Sequence, residues 1–302
     1  MSATPSEPHP ADPRHLPTRL GLAALWLVSH LPWSAQRALA DALGRVAFHL
    51  VRIRRRVVET NLRLCFPGMD EAGRRELARR HYQSLALGIL EVARCWWRPV
   101  SKLPAHRIEG LDHLRAACAR GKGVLLVSGH FTTLEITGRM LALAHPVACL
   151  YRDPNNPVLA AHLRRHRTAW ASRAIEMRDL KGLLGALRAG EAVWYAPDQG
   201  KRTAQSELLP FFGEPCITNT SAPRLAEMTG AAVLTFHARR EPGGSYVLTI
   251  APAPEGIPSG DPAADTVRLV RELEAAVRAA PEQYLWVHRR FKAREGMADP
   301  YA

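Results

Sequence analysis

The chain has 302 residues, 47% of them hydrophobic, which is enough for one large domain or for one domain with a helical extension. Lys and Arg number 41 against 28 Asp and Glu, so the net charge is +13. This excess indicates a polyanionic partner, such as nucleic acid, an anionic membrane surface, or an acidic substrate or carrier protein. An arginine-rich proteome would explain part of the excess without any partner.

The cysteines and histidines give no metal or disulfide pattern. Five cysteines are widely spaced and none forms a Cys-x-x-Cys pair, so we expect reduced thiols in a cytosolic setting rather than a disulfide scaffold or a zinc–thiolate site. The 13 histidines include no His-Glu-x-x-His pair. No glycine-rich phosphate loop occurs either, so the sequence indicates neither a metal nor a nucleotide cofactor.

The amino-terminal region is apolar without reaching the length of a clear membrane span. Residues 1–16 are rich in Pro, Ser, Glu and Asp and are predicted to be a disordered tail. Residues 20–33 are apolar, but a span needs about 20 residues and Pro32 interrupts this one. No small-x-small cleavage site follows, so a removable signal peptide is not indicated.

A second apolar stretch, residues 38–53, ends among four arginines between positions 52 and 56. Cations beside an apolar segment favour anionic headgroups and the cytoplasmic face, and Trp26 and Trp33 suit a membrane interface. We interpret the region as membrane-associated, by one short or tilted insertion or by interfacial helices, with a soluble helical hairpin as the alternative. In each case the catalytic domain is expected on the cytoplasmic side.

The rest of the chain predicts three regions. Residues 57–99 have helical periodicity, and strand and helix patterns alternate from residue 105 onward. We therefore divide the chain into a tail (1–16), a membrane-associated helical region (17–104) and an α/β domain (105–302). Predicted strands are 124–127, 147–151, 192–196, 233–237 and 246–250. Predicted helices follow Glu135, run from 158 to 171, from Asp179 to Gly190, from 221 to 229 and from 265 to 280. This alternation predicts a mainly parallel mixed sheet flanked by helices.

His130 and Glu135 follow the first of these strands directly. The carboxyl end of a strand is where α/β proteins expose reactive groups. A histidine there can act as a general base at neutral pH, and a carboxylate can hold its tautomer and stabilise its cation. An ideal helix would place positions 130 and 135 about 140° apart, so the two side chains can meet only if His130 lies off the regular helix.

Two further strands end in polar residues at the same predicted rim. Arg152 follows the second strand, where it could bind phosphate, stabilise an oxyanion, or merely pair with Asp153. Asp198 follows the third, where it could orient a base, position a substrate hydroxyl, or form a turn. Gln199 and Lys201 come next, and Lys201 could contact phosphate.

Two apolar segments remain open to more than one interpretation. Residues 208–213 are predicted to be a loop that binds an acyl chain if exposed and contributes to the core if buried. Residues 283–292 mix aromatic and cationic side chains, which fits either a basic patch facing headgroups or a last strand with a solvated end.

These segments together resemble the bacterial lipid A secondary (late) acyltransferases, most closely the lauroyl-type transferases of the lysophospholipid acyltransferase-like superfamily. Residues 61–67, 130–135, 179–198 and 281–292 carry the resemblance, which runs from about residue 16 to the end. The His-x4-(Asp/Glu) motif at 130–135 is shared with glycerolipid acyltransferases, whereas the middle and closing blocks are more specific. A departure from the lauroyl pattern at Gln199–Lys201 leaves the acyl preference open.

The resemblance implies transfer of a fatty acyl chain from acyl carrier protein to a hydroxyacyl hydroxyl of a Kdo-lipid A precursor, at the cytoplasmic side of the bacterial inner membrane. It gives His130 the role of base and Glu135 that of its orienter. Arg152, Asp198, Gln199 and Lys201 are assigned to substrate binding. No metal or redox cofactor is required, because the thiol leaves readily.

Two alternatives differ in the acceptor or in the class of protein. The acceptor could be a lysophospholipid, a glycolipid or an aminolipid, and acyl-CoA could replace the carrier protein. The chain could also be a non-catalytic basic protein that binds membrane or nucleic acid. We expect no nucleic-acid partner, because the arginines are dispersed and follow no nucleic-acid-binding motif.

Overall fold

A computed structural model describes residues 12–200, 202–292, 294 and 296–302. The helices are α1 (Leu16–Ser29), α2 (Trp33–Leu50), α3 (Arg52–Cys65), α4 (Glu71–Trp97), α5 (Leu111–Ala119), α6 (Leu134–Ala144), α7 (Pro157–Thr168), α8 (Leu180–Arg188), α9 (Ser221–Thr229) and α10 (Pro262–Ala279). The strands are β1 (His106–Glu109), β2 (Val124–Val127), β3 (Val147–Tyr151), β4 (Arg173–Glu176), β5 (Ala192–Tyr195), β6 (Ser206–Phe211), β7 (Glu214–Asn219), β8 (Ala232–Arg240) and β9 (Tyr246–Pro252).

Seven strands form one sheet in the order β1-β9-β8-β2-β5-β3-β4. All neighbouring pairs are parallel except β8 and β9, which are antiparallel. The central strand β2 is buried along its whole length, as expected for a parallel strand covered by helices on both faces. The predicted mixed, mainly parallel sheet flanked by helices is therefore confirmed.

The predicted strands and helices are found, but four short strands were missed. β1 and β4 are edge strands with mostly exposed or half-exposed side chains, so they lack the apolar run that marks the buried strands. β6 and β7 pair as a separate antiparallel hairpin. The prediction of a loop at residues 208–213 was wrong, because 208–211 belong to β6 and Phe211 is fully buried. The turn between β6 and β7 passes through Phe212 and Gly213, both at positive φ.

The amino-terminal helices pack on the rest of the protein. α1 and α2 lie against α4, where Ala40, Leu87 and Leu90 form a small buried cluster. A Cβ added to Gly44 would lie 2.4 Å from Cα of Gln83, so α2 and α4 approach too closely there for any larger residue. The apolar core continues across the predicted boundary at residue 104 into the sheet.

The predicted tail is partly structured. Residues 1–11 lie outside the described part of the chain, whereas Pro13–His15 form a 3-10 turn and α1 begins at Leu16. Asp12 caps the turn, since its side chain accepts a hydrogen bond from the backbone N–H of Arg14 at 2.9 Å.

The outer faces of α1 and α2 are apolar and exposed. Exposed residues on them include Leu20, Trp26, Leu27, Leu43, Val46 and Leu50, of which Leu50 is 74% exposed, and Ile53 at the start of α3 is 76% exposed. Among the described residues, no helix combines the length and the hydropathy that a membrane crossing requires.

A buried ion pair joins α4 to the sheet. Arg240 on β8 donates to Glu91 on α4 at 2.7 Å, and their side chains are 9% and 1% exposed. The hydroxyl of Tyr246 also donates to Glu91. Burial opposes the charge on Arg240, but Glu91 dominates and the pKa of Arg240 is raised.

Residues 283–292 do not form the last strand that was one of the two predictions for this segment, and of its arginines Arg290 is buried whereas Arg289 is exposed. A 3-10 turn, Pro281–Gln283, leads into irregular chain in which Trp286, Arg290 and Phe291 are buried. Asn61 on α3 donates to the carbonyls of Trp286 and His288 at 2.7 and 2.8 Å. The segment therefore fills the space between α3 and the sheet rim.

Candidate active site

The sheet register brings two loop residues together. β2 and β5 are parallel neighbours in which Val127 lies opposite Tyr195. His130 and Asp198 each come three residues after these partners, beyond the carboxyl ends of the strands. α6 begins only at Leu134, so His130 lies off the regular helix, as the sequence required.

His130 and Asp198 share two hydrogen bonds. Nδ1 of His130 lies 2.5 Å from Oδ1 of Asp198, and the backbone N–H of His130 donates to Oδ2 at 2.8 Å. The hydroxyl of Tyr284 donates to Oδ2 at 3.0 Å. The carboxylate favours the tautomer with a proton on Nδ1, which leaves Nε2 to accept a proton from a substrate.

The pair is electrostatically coupled. Burial alone would raise the pKa of Asp198, but the charge of His130, its two hydrogen bonds and the charge of Arg290 lower it well below the usual range. Burial lowers the pKa of His130, yet the Asp198 carboxylate outweighs this and the net pKa is raised. Asp198 thus stabilises the imidazolium that forms when His130 takes a proton.

Close packing keeps Asp198 beneath the histidine. Its side chain is 3% exposed, against 23% for His130. A Cβ on Gly129 would lie 2.5 Å from Leu273 Cδ1 and 3.2 Å from Oδ2 of Asp198. Gly129 therefore leaves room for the carboxylate and for Leu273 together.

Arg290 lines the same small cavity as Asp198, and its charge lowers the pKa of that carboxylate. It donates to the carbonyl of Ile217 at 2.6 Å and to the Thr218 hydroxyl at 2.8 Å, both on β7. Its guanidinium also lies 5.2 Å from the centre of the Phe211 ring. Arg290 thereby fastens the β6–β7 hairpin to the active site.

Glu135 does not occupy the place beside His130 that the sequence analysis gave it. Its buried carboxylate accepts hydrogen bonds from Nη2 of Arg167 at 2.8 Å and from Nε at 3.2 Å. Position 135 lies on the first turn of α6, which turns Glu135 toward α7, whereas the β2–β5 register delivers Asp198 to the imidazole. Of the interpretations open for Asp198, orientation of a base is the one that its geometry fits.

Two of the remaining predicted residues, Arg152 and Gln199, lie at the same rim with different surroundings. Arg152 follows β3 directly and is exposed, and the neighbouring Asp153 lies 3.7 Å from Arg164 instead. Gln199 lines a small cavity with His130 and Asp198. Lys201 lies outside the described residues.

Comparison with known proteins identifies the chain's relatives. The family profile for bacterial lipid A biosynthesis acyltransferases matches residues 4–293. The chain belongs to this family. It is 36% identical to the lipid A biosynthesis lauroyltransferase of Escherichia coli (strain K12), over 96% of both chains. It is 35% identical to the palmitoleoyltransferase of that strain over 93% of both chains, and 26% identical to its myristoyltransferase over 96% of this chain and 91% of the relative.

Three residues of this acyltransferase's rim escaped the sequence analysis. Tyr284 and Arg290 belong to the closing segment. This segment carried part of the family resemblance, but its sequence did not show that it folds back to the rim beside Asp198. Arg167 lies on α7 in a run of basic residues, and such a sequence is typical of a solvated helix end. A bulky aromatic side chain with a hydroxyl in a late, non-helical segment was the available signal for Tyr284.

In the described part of the chain, no group of three or more His, Cys, Asp or Glu side chains has the arrangement of a metal site. None of the five cysteines forms a disulfide, and four of them are buried. Burial raises the pKa of the Cys149 thiol to about 11, so it is a poor nucleophile at neutral pH.

Proposed function

We propose that this acyltransferase transfers a fatty acyl chain from acyl carrier protein to the hydroxyl of a hydroxyacyl chain on a Kdo-lipid A precursor. The names of its relatives support lipid A as the acceptor. The hydrogen-bonded pair of His130 and Asp198, both of which line the rim cavity, is the observation that carries the chemistry.

His130 acts as the general base in this proposal. Nε2 takes the proton of the acceptor hydroxyl as its oxygen attacks the thioester carbonyl, which forms a tetrahedral oxyanion. Asp198 holds the Nδ1 proton and stabilises the imidazolium. Collapse of the intermediate breaks the carbon–sulfur bond, and the departing thiolate takes up the proton from His130. One ester forms and one thioester breaks, with no change in oxidation state.

The other predicted residues receive distinct roles. Arg152 stands exposed at the rim, where its guanidinium can attract an acceptor phosphate or the oxyanion. Gln199 shares the cavity with His130 and can hydrogen-bond a substrate. Glu135 acts through Arg167, whose charge lowers the pKa of His130. For Lys201 we keep the proposed role in substrate binding, which is based on the sequence alone.

The exposed apolar faces of α1 and α2 support attachment to the cytoplasmic face of the inner membrane. Large exposed apolar side chains, Trp26 among them, with adjoining arginines are typical of a helix pair lying at a bilayer interface. Flotation with vesicles tests this point. A Leu20→Gln/Leu27→Gln/Leu43→Gln variant should release the protein from anionic vesicles, whereas unchanged flotation would contradict it.

An acyl-transfer assay in detergent micelles tests the reaction. A Kdo-lipid A precursor is offered with a panel of acyl carrier protein thioesters and, separately, acyl-CoA. We expect an acyloxyacyl product with a carrier-protein donor, and the panel gives the chain length. Absence of product from every donor with a folded protein would reject this acceptor, and lysophospholipid, glycolipid and aminolipid acceptors would be tried next.

A further inference from the structure

A second concave surface encloses about 780 Å³ and is lined by other residues of α3 than the one that lines the catalytic cavity. Its walls are α3, the first turns of α4, and residues 289 and 300–302. We call it the arginine groove, after Arg55, Arg56, Arg63, Arg74, Arg75 and Arg289. Two carboxylates, Glu59 and Glu71, line the same volume, so cationic side chains outnumber anionic ones.

Half of these arginines have partners that fix them. Arg55 lies 3.4 Å from Glu59, Arg74 donates to the carbonyl of Met69, and Arg289 lies over the ring of Tyr301. Arg56, Arg63 and Arg75 are exposed and, counting described residues only, have no side-chain hydrogen bond or ion pair. Guanidinium groups around one volume match the oxygens of a phosphate, to which each can donate two hydrogen bonds.

α3 connects this groove to the catalytic cavity. Asn61 lines the cavity with His130 and Asp198, while Arg63, two residues later, lines the groove. The closing segment also connects the two sites, because Arg290 lines the cavity and the adjacent Arg289 lines the groove. A helix with its side chains is about 10–12 Å across, so one bound molecule with a sugar-sized head can reach both places.

The groove also borders the apolar surface of the amino-terminal helices. Ile53 lines it and is 76% exposed, and Leu50 and Val51 continue the apolar surface along the end of α2. Cationic side chains beside exposed apolar ones are the arrangement expected at lipid headgroup level. A concave groove of this size fits a headgroup better than it fits the convex surface of an acidic protein.

We propose that the arginine groove binds a phosphate monoester on the headgroup of the membrane-embedded lipid acceptor, and so presents the acceptor's hydroxyl to His130. The inference rests on the proposed function for the identity of the acceptor. Its chemistry, a lipid-borne phosphate held by at least three guanidinium groups, follows from the groove itself.

Binding and transfer are measured with two matched variants. The first is Arg56→Gln/Arg63→Gln/Arg75→Gln. The control is Arg115→Gln/Arg120→Gln/Arg188→Gln, which removes the same charge from exposed positions in and next to α5 and α8, at the opposite end of the sheet. Each protein is titrated with phosphatidylcholine vesicles that carry the precursor in its phosphorylated or its dephosphorylated form, and then with inorganic phosphate alone.

We expect the groove variant to bind phosphorylated vesicles at least tenfold more weakly than wild type, while the control stays within twofold. Vesicles with the dephosphorylated lipid should bind wild type and groove variant within twofold of each other. In the transfer assay the KM for the phosphorylated acceptor should rise about tenfold and the KM for the carrier-protein donor should not change. The single variant Arg63→Gln should show a smaller loss in the same direction.

Three results would overturn the proposal. Equal losses on both vesicle types would mean general attraction to the membrane, and a raised KM for the donor would make the groove a docking surface for an acidic carrier protein. Tight binding of inorganic phosphate, with no preference between the lipid forms, would make it a site for a free anion. The vesicle measurement needs no catalysis, so a wild-type protein that binds selectively but transfers nothing would reject the proposed function and keep the groove.

Discussion

Two buried charge pairs in this protein differ in what lies beyond them. Glu91 and Arg240 face each other between α4 and β8, Tyr246 also donates to Glu91, and both charged side chains are almost completely buried. His130 and Asp198 have a similarly buried carboxylate, but the imidazole is 23% exposed and lines a cavity. Burial and pairing are common to both, so they do not identify a catalytic group. An accessible atom that can exchange a proton does.

Replacing the base should have the largest effect. His130→Ala removes the only atom that the proposal assigns to proton transfer, so kcat/KM should fall on the order of 10⁴-fold. The free energy of unfolding should fall only modestly, because Asp198 keeps the hydrogen bonds from the backbone N–H of residue 130 and from the Tyr284 hydroxyl. His113→Ala, at an exposed position on α5, is the matched control and should keep full activity. Retained transfer in His130→Ala would remove the distinction between the two pairs.

Asp198→Asn tests orientation and charge together. We expect a loss on the order of 10³-fold, because an amide does not stabilise the imidazolium. His130 is active as a base only when neutral, so the wild-type rate should fall as the pH drops through its raised pKa. Without the carboxylate, burial and Arg167 still lower that pKa, and the acid limb of kcat/KM should shift to lower pH. An unchanged pH profile would contradict coupling between the two residues.

Glu91→Ala should affect stability instead of chemistry. It leaves Arg240 charged and buried without its partner, which typically costs about 3–5 kcal/mol. The free energy of unfolding from denaturant titration should fall by that amount, while kcat of the folded fraction stays within twofold. A Glu91→Leu/Arg240→Met protein should recover part of the stability. A large loss of kcat in the folded protein would place this pair in the active site.

The Glu135 and Arg167 pair stands between these two cases. Glu135→Gln leaves Arg167 uncompensated near His130, so we expect a 10- to 100-fold loss with an acid limb shifted to lower pH. A pH profile measured beside that of Asp198→Asn separates a positioning role from a purely structural one. A loss without any shift in the profile would mean that Glu135 only supports the fold.

Arg152→Gln should have the smallest effect. Its side chain is exposed, so solvent and salt screen its interactions. The KM for the acceptor should rise about threefold at low salt, with kcat unchanged. A loss of kcat comparable to that of Asp198→Asn would instead assign Arg152 to the oxyanion.

The sequence predicted the parts of the fold that carry a strong local pattern. β2 and α9 were located to the residue because one is a buried apolar run and the other ends at a glycine. β1 and β4 were not predicted, because edge strands bury little apolar surface and so lack a run of apolar residues. His130 was identified from its strand end, but its partner was not, since the choice between Glu135 and Asp198 depends on which strand lies next to β2. That neighbour, β5, is distant in sequence, and only the sheet order reveals it.

The closing segment lies late in the chain, and this position decides when the surroundings of Asp198 are completed during synthesis. Tyr284 and Arg290 reach Asp198 from positions that are synthesised after every strand of the sheet. The apolar helices α1 and α2, by contrast, emerge first. A growing chain therefore exposes these apolar helices long before the residues that complete the surroundings of Asp198 have been made.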